Sequence, residues 1–330
     1  MASKESERKM KIPKKINLAH LPTPLEQIHF RNKIFLIKRD DYTGSDFLGN
    51  KIRKLEYLLY EAIREKADII FTCGGDQSNH ARATTSAAAR IGIKTRLFLW
   101  GEEKNIPEGN LFLNTMYGAD IVYLNKKEFE GVDDIMTEER KKFIKKRKRV
   151  YVIPAGGSST LGIWGYINFI NELKKQIDLN KVAGIFCACG SGGTAAGLLV
   201  GSALNKIKLK IFAVNVLHKK NFITKKIFQL AEGAVLDFKL PCNLNADHLE
   251  IIDGYSEEGY KRISESKLKL VTDFARSTGI LLDPAYTGKA FYAYNDLVFS
   301  NNISKKIVFL HTGGIFGSFV KRSEYLKFKS

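Results

Sequence analysis

Apolar residues recur along this chain in two alternating rhythms. Short runs rich in β-branched and aromatic residues at 34–37, 68–73, 95–100, 120–124, 150–153, 182–188, 209–216 and 306–311 have the length of buried strands. Between them, apolar positions fall three and four apart, the spacing of helices packed on one face. The clearest case starts at Lys51, where Ile52, Leu55, Leu58, Leu59, Ala62 and Ile63 share a face. Further helices are expected from Ser78 or Asn79 to Arg90, closed by Gly92, and at 109–117. Others fall over the basic stretch before residue 149, from about 161, at 194–204, near 221–233 and over 257–278. Strand and helix in alternation specify parallel sheets covered on both faces. The strands are too many for one comfortable sheet, so the expected fold class is α/β with two lobes, each a mostly parallel sheet flanked by helices. The segment up to Leu21 reads as a loosely held basic arm that enters the fold at Pro22-Thr23-Pro24.

Bulk properties narrow the field. The 330 residues can bury a large core, and 44 % apolar with 27 % charged residues is ordinary for a globular chain. No apolar run approaches the roughly 20 residues of a membrane span, and no apolar segment follows the polar start as in a signal peptide. Cys73, Cys187, Cys189 and Cys242 do not make a disulfide framework, which points to a reducing cytoplasm. Cys187 and Cys189 alternate with Phe186 and Ala188 and read as core; no Cys/His set has metal-ligand spacing, and no metal is expected. The net charge is +18, and residues 140–149 alone hold eight basic side chains. Without a nucleic-acid motif this run reads as a solvated helix face, with anion steering or weak polyanion binding as the alternative and no specific nucleic-acid partner.

Chemistry gathers where strands end. Gly190-Ser191-Gly192-Gly193-Thr194 lies between a strand and a helix, where backbone N–H groups, hydroxyls and the positive helix end converge on one point. That suits a single phosphate. A tight structural turn and a dinucleotide site are the competing readings, the latter weakened because residues 213–218 carry no ribose-binding acid. Gln77, Ser78, Asn79 and His80 at a helix start can grip a carboxylate or simply cap the helix. Tyr286, framed by Pro284 and Gly288, is either a proton carrier or a half-buried ring, and Thr312 either a hydroxyl for a ring nitrogen or the end of a strand. Lys51 sits at a helix mouth, where the dipole disfavours a cation; a solvated first-turn lysine is the plainer reading. Jointly, a lysine, one phosphate cradle and a carboxylate anchor are what a pyridoxal-phosphate enzyme needs.

The segments 38–41, 49–56, 72–83, 153–157, 190–194, 279–289 and 311–314 resemble D-cysteine desulfhydrase and 1-aminocyclopropane-1-carboxylate deaminase, which share the tryptophan-synthase-β type of fold (fold type II). The resemblance spans about 21–319. It implies a larger, discontinuous cofactor-binding domain of residues 1–52 and 166–330, a smaller α/β domain of 53–165, and pyridoxal 5′-phosphate in the cleft between them. It implies that Lys51 bonds the cofactor and then acts as base at Cα, and that Asn50, Asn79, Gly190, Ser191, Gly192, Gly193, Thr194 and Thr312 also hold the cofactor. Gln77, Ser78, Asn79, His80, Tyr255, Tyr286 and Thr287 would meet the substrate, with Ser78 and Tyr286 as catalytic groups and Tyr255 the more weakly aligned tyrosine. Thr287 and Thr312 stand where the deaminase pattern has Glu and Leu, the desulfhydrase-like choice. A lyase converting D-cysteine to pyruvate, ammonia and sulfide is therefore expected, with deaminase activity as the alternative and a basic polyanion-binding protein with a vestigial pocket as a third reading. Departures from the pattern are Asp76, Ser159 and a missing Pro after Tyr255. A cytoplasmic homodimer acting on a small amino acid, with no membrane partner, completes the expectation.

Overall fold

Two sheets, each with its own helical cover, account for the alternation in the sequence. The computed structural model describes residues 10–260, 262–300 and 306–328. Its strands are β1 (Leu25–Phe30), β2 (Lys33–Arg39), β3 (Ile69–Gly75), β4 (Lys94–Trp100), β5 (Asp120–Leu124), β6 (Val150–Val152), β7 (Val182–Cys189), β8 (Lys210–Asn215), β9 (Leu249–Ile252) and β10 (Lys306–His311). The larger sheet has the order β1-β2-β10-β7-β8-β9 and the smaller β5-β4-β3-β6. Every pairing is parallel except β1 with β2.

Strand β7 shows why its run is continuously apolar. Ile185, Cys187 and Cys189 point into one core with Trp164, Leu198 and Ile227, while Phe186 and Ala188 point into the other with Phe274 and Phe291. A strand buried on both faces has no polar positions to alternate. In the smaller sheet Ile70 packs toward Ile52, Leu55 and Ala87, and its neighbours Ile69 and Phe71 pack toward Val132 and Met136. Each such buried side chain contributes roughly 1.5–3 kcal/mol relative to exposure.

The Lys51 helix (Lys51–Arg64) lies between the two lobes and is fastened on both sides. Arg53 Nη2 donates to Asp40 Oδ1 at 2.7 Å and Arg53 Nη1 to Glu172 Oε2 at 2.7 Å, and Lys38 Nζ reaches Glu172 Oε1 at 2.5 Å. Burial works against the Glu172 charge, but the Arg53 and Lys38 contacts outweigh it and hold its carboxyl at about 2. On the other side Glu56 Oε1 accepts the Leu18 and Ala19 N–H groups at 2.8 and 2.9 Å, and Lys15 pairs with Glu56 Oε2 at 2.5 Å. The basic arm is thus strapped to the helix from residue 15 onward rather than loosely held; residues 1–9 lie outside the described residues.

Two strands escaped the sequence pattern, β1 and β9, both at edges of the larger sheet. The helix expected over 257–278 begins only at Glu265 (Glu265–Thr278). Gly254 and Gly259 at φ +85° and +84° break the backbone before it, and Tyr260 of that segment packs against Tyr286.

Candidate active site

The C-terminal ends of β3, β7 and β10 face a common cleft of about 410 Å³, bordered by Asn50, Lys51, Asn79, Cys189, Gly190–Gly192, Thr194, Tyr286 and Thr312. Ligands gather at this edge of parallel sheets. Lys51 is partly exposed on the cleft wall. Burial of its surroundings lowers its pKa to about 8, against weaker opposing pulls from Cys189 and Asp283. An amine so lowered is partly unprotonated at neutral pH and fit for nucleophilic or basic work. Backbone geometry sets its position: a Cβ on Gly49 (φ +102°) would lie 2.7 Å from the Thr312 carbonyl, which also accepts the Asn50 N–H at 3.0 Å.

On one side of Lys51 is an anion cradle. The Gly193 helix (Gly193–Leu204) opens with Gly192 in the left-handed region, so its first N–H groups face the cleft. Ser158 Oγ and Ser191 Oγ lie 2.8 Å apart, and Asn50 Nδ2 donates to Thr194 Oγ1 at 3.0 Å. Lys54, one turn after Lys51, completes the cradle. It is buried, among the described residues its Nζ has only the Gly156 carbonyl and Ser158 Oγ, each at 3.4 Å, and a Cβ on Gly193 would stand 2.8 Å from it. Burial, then the charge of Lys51, pushes the Lys54 ammonium well below its ordinary range. A buried amine beside hydroxyls and free N–H groups, with no carboxylate partner among the described residues, fits a phosphate, whose charge would favour the protonated amine.

On the other side is the Asn79 helix (Asn79–Arg90). Ser78 Oγ caps it by accepting the Ala81 N–H at 3.2 Å, leaving the Asn79 and His80 N–H groups and the Ser78 hydroxyl proton for a ligand. Asn79 borders both the cleft and an outer chamber of about 710 Å³ that includes Asp76, Gln77, Tyr260, Asp283 and Lys104.

Not every expected residue reaches the cleft. Thr72 Oγ1 gives its proton to the Ile153 carbonyl at 2.8 Å, so His80 Nε2–H must donate to Thr72 at 2.8 Å. The His80 ring therefore faces away, and only its backbone can serve a substrate. Burial, then the charges of Lys51 and Lys54, holds it neutral. Thr287 Oγ1 donates to Asp283 Oδ1 at 2.6 Å and is buried beneath the site, leaving Thr312 as the threonine of that pair on the cleft wall. The Gln77 amide is engaged with the backbone of Glu108 and Asn110 at 3.1 and 3.0 Å. Tyr255 points to Asp296, 2.7 Å away, outside both chambers.

Tyr260, rather than Tyr255, borders the outer chamber beside Tyr286. Its ring meets Tyr286 edge-on. Burial raises the Tyr286 hydroxyl to about 12, and the nearby Tyr260 side chain offsets part of that rise. Asp283 was also missed: its carboxylate accepts the N–H groups of Ala285, Tyr286 and Thr287 at 3.1, 3.0 and 2.7 Å and shapes the turn that presents Tyr286. An Asp before Pro and four residues ahead of a Thr was a legible turn signal. Lys54, three residues past Lys51 on the same face, was legible too. Nothing in the sequence marked Tyr260. The basic run 140–149 lies by the N-terminal ends of β3 and β6, away from the cleft, where Arg149 pairs with Asp68 at 3.5 Å.

The family model described as pyridoxal-phosphate dependent enzyme matches residues 16–313, and the chain belongs to that family of α/β enzymes. Within it, the chain is 36 % identical over 323 residues to the mitochondrial bifunctional D-cysteine desulfhydrase/1-aminocyclopropane-1-carboxylate deaminase of Arabidopsis thaliana, covering 92 % of this chain and 79 % of that one. It is 32 % identical over 315 residues to the D-cysteine desulfhydrase of Klebsiella pneumoniae strain 342, covering 91 % and 94 %. A crystal structure of an ACC deaminase homologue superposes with a TM-score of 0.88 at 33 % identity, covering 96 % of each chain. The cofactor of the family is pyridoxal phosphate, and the Lys51 amine with the Lys54–Gly193 cradle has the donor set to hold it. Among the described residues no helix is long and apolar enough to cross a membrane.

Proposed function

We propose that the protein is a lyase that eliminates the β-substituent of a small D-amino acid, with D-cysteine as substrate and pyruvate, ammonia and sulfide as products. Pyridoxal phosphate, when bound, supplies the electron sink for charge developing at Cα. The Lys51 amine removes the Cα proton, its lowered pKa keeping a free base available. The Asn79 and His80 N–H groups and the Ser78 hydroxyl hold the carboxylate, and Asn50, Gly190–Thr194 and Lys54 hold the phosphate. The Cβ–S bond breaks with its electron pair on sulfur, and Tyr286, whose hydroxyl keeps its proton at neutral pH, faces that departing group. The released enamine hydrolyses to pyruvate and ammonia.

The observation that supports this reading is Lys51 in one cleft with the Gly190–Thr194 turn and the start of the Asn79 helix. Thr312 on the cleft wall favours D-cysteine over the cyclopropane substrate. A hydroxyl there would hold the ring nitrogen without protonating it and would leave a weaker electron sink, adequate for a good leaving group such as sulfide. Deaminase activity yielding 2-oxobutyrate is the second reading, supported by the bifunctional Arabidopsis relative. The reading includes a smaller domain of 53–165 set against the remainder, a homodimer in keeping with the resemblance, and a cytoplasmic setting supported by four unpaired thiols.

The test is a panel of D-cysteine, L-cysteine, D-serine and 1-aminocyclopropane-1-carboxylate, followed by pyruvate, 2-oxobutyrate and sulfide release. Sulfide and pyruvate from D-cysteine alone support the proposal; 2-oxobutyrate as the main product replaces it with the deaminase. Borohydride reduction and peptide mapping locate the cofactor lysine, and a label away from Lys51 sinks both.

A further inference from the structure

One turn into the helix that starts at the carboxylate site lies a buried cation with no acid to pair with. Arg82 is fully buried, and among the described residues no carboxylate stands within ion-pair distance of its guanidinium. Its partners are neutral oxygens: Nη1 donates to the Asp46 carbonyl at 2.5 Å, Nη2 to the Leu48 carbonyl at 3.0 Å and Nε to Asn110 Oδ1 at 3.2 Å. The Phe316 ring lies 5.1 Å from the guanidinium carbon. Burial lowers the Arg82 pKa to about 10, which still leaves it charged at neutral pH. Burying an unpaired charge opposes folding, and an apolar side chain of similar volume would not carry that penalty. Its three acceptors suggest what it is there for.

Those acceptors belong to separate parts of the site. Asp46 and Leu48 lead directly into Gly49, Asn50 and Lys51. Asn110 begins the Gly109 helix (Gly109–Met116), and its Nδ2 donates to Asn79 Oδ1 at 2.9 Å and to the Gln77 carbonyl at 3.0 Å. Asn110 is buried and has donors and acceptor all engaged. A continuous run of hydrogen bonds therefore joins Leu48, three residues before Lys51, through Arg82 and Asn110 to Asn79 in the helix-start turn. Only a planar fork with donors on three nitrogens reaches all three acceptors, which lysine cannot do.

We propose that Arg82 and Asn110 are positioning residues that lock the carboxylate-binding turn to the loop delivering Lys51, so that the amine meets Cα of a bound substrate in one fixed relation. This rests on the roles given above to Lys51 and to the turn at 78–80. A pure packing role for the pair predicts effects on stability alone. The relay predicts effects on kcat/KM that do not follow stability, because small misplacements of reacting groups slow catalysis strongly.

The deciding variant is Asn110→Asp in the holoenzyme. It keeps an oxygen for Arg82, gives that cation a counter-charge, and removes both donors to the turn. The new carboxylate oxygen is repelled by the Gln77 carbonyl and Asn79 Oδ1. The expected result is a folded protein with unchanged cofactor absorbance and kcat/KM on D-cysteine lower by about tenfold or more. Affinity for D-alanine, which has no leaving group, is expected to fall in parallel when read from the cofactor spectrum. Arg82→Lys should lower kcat/KM similarly, and the double variant should be no worse than the worse single one, as for groups acting in one chain. A loaded Asn110→Asp enzyme with kcat/KM and D-alanine affinity within twofold of wild type overturns the relay, as do losses that add in the double variant. If Arg82→Lys does not fold, Asn110→Asp decides alone. A wild-type protein that does not carry its cofactor on Lys51 removes the underlying site assignment instead, so the two failures are distinguishable.

Discussion

Tyr260 meets Tyr286 edge to face, with 5.6 Å between ring centroids and 70° between their planes. The contact is made by a loop that turns at Gly259, and it sets two tyrosine rings against each other in a site otherwise built from helix starts. The Tyr260 hydroxyl lowers the pKa of Tyr286, which makes Tyr286 a better proton donor than burial alone would allow. Tyr260→Phe keeps the ring and removes that hydroxyl. We expect kcat on D-cysteine to fall by up to about tenfold, the scale of one polar interaction lost beside the donor. Tm should stay within a few degrees, as checked by steady-state kinetics and calorimetry.

Lys54→Met tests the cradle. Removing the buried ammonium deletes a charge-assisted contact to the phosphate, so affinity for pyridoxal phosphate should fall roughly 10- to 100-fold. The protein without cofactor should be at least as stable as wild type, because a buried amine with only two long hydrogen bonds and no carboxylate partner among the described residues has been replaced by an apolar chain. Equilibrium dialysis and melting in the absence of cofactor read the two effects separately.

Cofactor capture reports the Lys51 pKa. The amine attacks only when unprotonated, and burial has moved its midpoint from 10.5 to about 8. The rate of capture by cofactor-free protein should therefore climb between pH 7 and 9 and level off above, as followed by absorbance. A rate still climbing at pH 10 would contradict the lowered value.

His80 gives stability a pH dependence of known sign. It is held neutral in the fold but titrates near 6.5 once unfolded. Below that pH the unfolded chain binds a proton that the folded chain refuses, so stability falls as pH falls. The slope is at most about 1.4 kcal/mol per pH unit for this residue. His80→Phe should flatten the urea-denaturation profile between pH 6.5 and 5.

Thr287→Glu, the deaminase-pattern residue, should destabilise this protein. Thr287 Oγ1 is 2.6 Å from Asp283 Oδ1 in a fully buried pocket, so a second carboxyl there confronts the first. We expect a loss of about 2 kcal/mol or more in chemical denaturation. Thr312→Leu, on the cleft wall, should leave stability within about 1 kcal/mol of wild type.

Local chemistry that leaves a local trace was legible from the residues alone. The period of the apolar positions announced the two lobes, because a strand buried on both faces and a helix buried on one write different patterns. Gly190–Thr194 and Ser78-Asn79 announced a glycine turn and two helix starts, because such features are made by adjacent residues. Tertiary structure decided the rest. It turned the His80 ring toward Thr72, put Tyr260 rather than Tyr255 against Tyr286, sank Thr287 beneath Asp283, and joined Arg82 to Leu48 and Asn110. Each of these depends on which way a side chain leaves its backbone and on what a distant segment brings against it. Spacing along one chain carries no record of either.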